Sequence, residues 1–75
     1  MSTRYQWVRY QSGENTTEIF NLDQVSHFRH ISAGEESVIE FVIHDATYRI
    51  MYSVDQVAFG VVAQYIQETT GYQLI

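Results

Sequence analysis

One helical pattern, placed near the end of the chain, limits the possible folds more than any other feature. Val54, Val57, Ala58, Val61, Val62, Tyr65 and Ile66 recur three and four residues apart, which puts them on one broad stripe of a helix. Ser53 and Gln56 have the Ser-x-x-Gln spacing of a capping box, in which each side chain satisfies an orphan backbone donor. Gly71 suits the left-handed position beyond a helix end. The spacing therefore predicts a helix over about 54–70. Gly60 within it costs about 1 kcal/mol against Ala, which points to close packing against a neighbouring element.

Everything before this helix reads as strand. β-branched and aromatic runs bounded by turn residues predict strands at about 5–11, 17–22, 25–32, 37–44 and 47–53. The first, YQWVRYQ, stops at Ser12-Gly13-Glu14-Asn15; the third turns at Ala33-Gly34-Glu35-Glu36; the last two are joined at Asp45-Ala46. The predicted fold class is α+β. A single domain over residues 1–75 carries an antiparallel meander of four to five strands, then one C-terminal amphipathic helix packed on one sheet face. The apolar tail Tyr72–Ile75 should dock, as a short edge strand.

Size sets the energetic problem. A chain of 75 residues buries only about 60% of its unfolded surface, so its core must be dense or shared with a partner. There is no Cys, which removes disulfides, Cys-ligated zinc, iron–sulfur clusters and thiol chemistry. One Trp, six Tyr and four Phe supply the bulk instead. No apolar run approaches the roughly 18 residues of a membrane span, and no signal-like segment opens the chain. A cytoplasmic protein without membrane contact is expected.

Strand registers divide the apolar residues between two faces. A two-residue loop at Asp45-Ala46 would oppose Ile43 to Tyr48, Phe41 to Ile50 and Ile39 to Tyr52, forming the floor for the helix. Across the preceding turn Ser32 meets Ser37, Phe28 meets Phe41 and Arg29 meets Glu40, giving an aromatic pair inside and a charge pair outside. The opposite face then carries Ile31, Val38, Val42 and Met51 beside His27, Arg29, Glu40 and Arg49, with Phe20 and Leu22 joining according to the turn at Asp23-Gln24. One helix covers one face only. A half-apolar second face with Arg and Met has the composition of a protein interface. Its expected anchors are Phe20, Ile31, Val38, Val42 and Met51, with Arg29 and Arg49 fixing orientation.

Charge and missing residue types narrow the partner. Four Arg and no Lys against nine acidic residues give a net charge of −5, which opposes nucleic acid. Lys and Pro normally blunt exposed sheet edges, and this chain has neither. The partner indicated is another protein or a second copy of the chain.

Motifs for chemistry are absent. His27 and His30 are spaced H-x-x-H, but three residues apart on a strand they point to opposite faces and cannot easily share a metal. Neither a G-x-S-x-G elbow nor a phosphate-cradling glycine loop occurs. The expectation is a small non-enzymatic interaction or regulatory module that self-associates, with no catalytic residue, cofactor or metal. The alternative is a small-ligand or single-stranded nucleic-acid binder using Tyr5, Trp7 and Arg9, which share one face of the first strand.

Overall fold

The structure, a computed structural model, describes residues 7–74. It is α+β, five antiparallel strands followed by one helix, with the strands divided between two sheets. β1 (Trp7–Gly13) and β2 (Thr16–Asn21) form a hairpin. β3 (His27–Ala33), β4 (Glu36–Ile43) and β5 (Ala46–Met51) form a three-stranded sheet in that order, and α1 (Gln56–Thr70) closes the chain. Among the described residues, only β4 has neighbours on both sides.

The predicted start of the first strand, at Tyr5, lies outside the described residues. Its end comes later than expected, because a register shift between Gln11 and Gly13 lets β1 continue through the anticipated turn. β2 stops at Asn21. Leu22 opens a short 3-10 turn instead, capped by the Asn21 side chain, whose Oδ1 accepts from the Asp23 N–H at 3.0 Å. That turn delays β3 to His27.

The β3–β4 register matches the reading from sequence: Ser32 opposes Ser37, Phe28 opposes Phe41 and Arg29 opposes Glu40. The β4–β5 register does not. Its loop is His44-Asp45, with φ of 48° and 69°, the positive values that a tight hairpin turn demands of both central residues. Phe41 therefore faces Tyr48, Ile39 faces Ile50 and Ile43 faces Ala46, a slip of two. An even slip leaves every side chain on its expected face, because the side-chain period is also two. Tyr52 and Ser53 fall beyond the end of β5; the Tyr52 N–H still donates to the Ser37 carbonyl at 2.9 Å, and its ring meets Phe59 edge-on, with centroids 5.3 Å apart.

The helix begins two residues late. Asp55 is its N-cap, Oδ1 accepting from the Ala58 N–H at 3.1 Å. Ser53 does not cap, since residues 52–55 turn around the Met51 carbonyl, which accepts from the Val54 and Asp55 N–H groups. Val54 and Val57 consequently stand outside the buried stripe, 48% and 78% exposed. At the other end Gly71, with φ 84°, returns its N–H to the Gln67 carbonyl at 2.8 Å as predicted. Gly60 is a correction: a Cβ placed there would meet no atom within 4 Å, so no close approach requires it. The tail adds no strand, and it docks through Leu74, half-buried against the core.

That core fills the space between the inner sheet face, the inner side of the hairpin and the helix. Ile39, Phe41 and Ile50 form its floor, all fully buried. Val8, Tyr10 and Phe20 enter from the hairpin, and Ala58, Phe59, Val62, Ala63 and Ile66 from α1. Phe20 sits edge-on to Phe41 with centroids 4.9 Å apart, an arrangement that adds to burial the attraction of ring edge for ring face.

Candidate functional site

The outer face of β3–β4–β5 is ordered in rows. Because both registers share β4, its outward residues Val38, Glu40 and Val42 each line up with one neighbour on either side, and Glu36 with one on β3. His27, Val42 and Thr47 make one row; Arg29, Glu40 and Arg49 the next; Ile31, Val38 and Met51 the third; Ala33 and Glu36 the last. Helix and hairpin both pack on the other side, so among the described residues this face is built from sheet residues alone.

The second row is a ready-made ion network. Arg49 Nη2 donates to Glu40 Oε2 at 2.6 Å, and Arg29 Nη1 stands 3.8 Å from Oε1 of the same carboxylate. The Glu40 side chain is only 16% exposed, whereas each Arg side chain is 63% exposed. Val38 and Val42 are the neighbours of Glu40 on this face of β4, and both Arg side chains remain largely exposed although they face its carboxylate. Ile31, Val38, Val42 and Met51 are each partly exposed. A shallow recess of about 120 Å³ opens beside the row, lined by His27, Arg29, Glu40, Phe41, Val42 and Thr47.

Six of the seven residues expected at an interface thus share this face: Arg29, Ile31, Val38, Val42, Arg49 and Met51. Phe20 does not. It is 6% exposed in the core, because β2 turns its alternate residues inward over Phe41 and Tyr48. Leu22 is buried too.

The two histidines separate as strand geometry requires. His27 lies on the outer face, while His30 turns inward, its Nε2 3.1 Å from Ser37 Oγ and its ring against Tyr72. Among the described residues, no group of three or more His, Asp or Glu could hold a metal ion, and no helix is long and apolar enough to cross a membrane.

The hairpin offers a smaller patch. Trp7 and Arg9 point outward, opposite to buried Val8 and Tyr10, and Arg9 is paired across the strands with Ile19. Trp7 is 58% and Ile19 64% exposed. The outward Trp is legible from alternation in YQWVRYQ, whereas Ile19 joins it only through the β1–β2 register. A wider recess, about 620 Å³, lies where the β1–β2 turn meets the start of α1, lined by residues including Glu14, Ser53, Asp55 and Val57. Backbone donors already engage its central carboxylate: the Ala58 and Gln11 N–H groups hold the Asp55 carboxyl below its ordinary range.

Comparison with protein-family models, with curated proteins and with solved structures finds no match to this chain.

Proposed function

We propose that the chain is a small non-enzymatic protein–protein interaction module that self-associates through the outer face of β3–β4–β5 and presents itself, so paired, to another protein. The observation that carries this reading is the Ile31–Val38–Met51 row lying partly exposed beside the Arg29–Glu40–Arg49 network on a face that no other described element covers. Apolar anchors ringed by orienting charges are the pattern of an interface rather than of a catalytic cleft, which needs a shielded titratable group. Strand edges without Lys or Pro add to it, since two of the usual devices against a second chain are missing. The reading includes a cytoplasmic location and no membrane partner.

Val38 is central on this face and points away from the core, so Val38→Asp separates association from folding. The variant should keep the wild-type circular dichroism and lose self-association in light scattering. A dimer unaffected by Val38→Asp would remove this face from the account.

A further inference from the structure

The rows of the outer face have a charge pattern that is complementary to itself in one orientation only. Arg29 and Arg49 flank the single carboxylate of Glu40, which leaves that row one positive charge in excess. The row two residues along β4 in the other direction from Val38 holds Ala33 and Glu36, one negative charge in excess. The apolar Ile31–Val38–Met51 row lies midway between them.

We propose that a second copy of this chain docks on the face about a two-fold axis that lies between the sheets, runs across the strands and passes over the Ile31–Val38–Met51 row. This rests on the self-association reading above and specifies its geometry. Such an axis stacks the apolar row of one copy on the same row of the other. It also exchanges the flanking rows, so that Glu40 of one copy lies over Glu36 of its partner with Arg29 and Arg49 on either side, between the two carboxylates. Ala33, opposite Arg29 in this arrangement, is small and leaves room for the guanidinium. Each flank then contains two Arg and two Glu, and its charge closes to zero. An axis along the strands would instead stack each row on itself, which leaves two positive charges in excess on the Arg29–Glu40–Arg49 flank and two negative charges on the Glu36 flank, and such uncompensated like charge is costly.

The occupant is a second copy because the face matches itself while the rest of the chain is acidic, with a net charge of −5 overall. Three strands about 4.8 Å apart and rows about 6.7 Å apart give a footprint of about 14 by 23 Å. That is smaller than the roughly 800 Å² per partner of a standard interface, so the dimer is weak and reversible.

Charge reversal on either flank gives a sharp test. Arg49→Glu alone leaves each flank two negative charges in excess, and Glu36→Arg alone leaves each two positive charges in excess. Each variant by itself should dissociate about tenfold more readily than wild type or worse. Mixed in equal amounts, the two form a heterodimer in which both flanks are neutral again, and association should return to within about threefold of wild type. Arg29→Glu serves in place of Arg49→Glu if that variant does not fold, because it changes the same flank by the same charge. Analytical ultracentrifugation reads all of these. Single variants that dimerise normally, or a mixture that stays monomeric while wild type dimerises, would overturn this geometry and leave self-association standing. A monomeric wild type would overturn both.

Discussion

One carboxylate ties the hairpin to the helix: Asp55 Oδ2 accepts from the Gln11 N–H at 3.1 Å while Oδ1 caps α1 at Ala58, also at 3.1 Å. The contact spans 44 positions of sequence, so it closes the first strand onto the last element. Asp55→Ala should remove the cap and orphan the Gln11 donor, destabilising the domain by about 1–2 kcal/mol. Urea unfolding of the two proteins measures the difference.

The same contact predicts a pH dependence with a definite sign. Backbone donors at Ala58 and Gln11 depress the folded-state pKa of Asp55, so in the acidic range the unfolded chain binds more protons there. Its contribution is complete above about pH 5 and declines as pH falls through the lowered folded value. Asp55→Asn keeps a capping oxygen and should flatten this part of the acid unfolding curve. A profile as steep as wild type would assign the acid sensitivity to other carboxylates.

Gly60 offers a stabilising substitution. It lies inside α1 with open space where a Cβ would stand, so Gly60→Ala gains helix propensity without a clash. The expected gain is about 1 kcal/mol, seen as a rise in Tm of roughly 4–8 °C for a domain of this size.

Asp45 should behave similarly for a different reason. It holds φ 69° in the β4–β5 turn, a conformation glycine adopts without the steric cost an L side chain meets. Asp45→Gly is expected to stabilise the hairpin by about 0.5–1 kcal/mol, and thermal melts test it.

These positions also show what was legible in the residues and why the remainder was not. Alternation placed Phe28, Phe41 and Ile39 on one face and Arg29, Glu40 and Val38 on the other, because a period of two survives small errors in where a turn falls. The position of the loop is less legible: Asp45-Ala46 looks like turn material, but the turn takes positive φ at His44 and Asp45, one residue earlier. The helix stripe identified Ala58, Val62 and Ile66, yet its start depended on whether Ser53 or Asp55 was the cap. That choice is made by the turn around the Met51 carbonyl. The inward side of Phe20 is hidden in the sequence because the 3-10 turn at Leu22–Gln24, which links β2 to β3, has only a short Asn-Leu-Asp-Gln signature. The division into two sheets was likewise hidden, since it rests on contacts between residues far apart in the chain.

Arg49 and Glu40 form the closest ion pair on the outer face, yet the pair is partly exposed and should add less than about 1 kcal/mol to folding. Arg49→Glu also sets a second carboxylate directly across from the mostly buried Glu40, so it should lower Tm measurably as well as weaken association strongly. Parallel melts at a concentration below the dimer range and sedimentation above it separate the two effects.

Self-association is the central claim, and sedimentation equilibrium of the unaltered protein over a concentration series through the micromolar range tests it most directly. The account predicts a weight-average mass rising from 8.8 kDa toward twice that value with a single dissociation constant. A mass that stays at 8.8 kDa up to several hundred micromolar would contradict it.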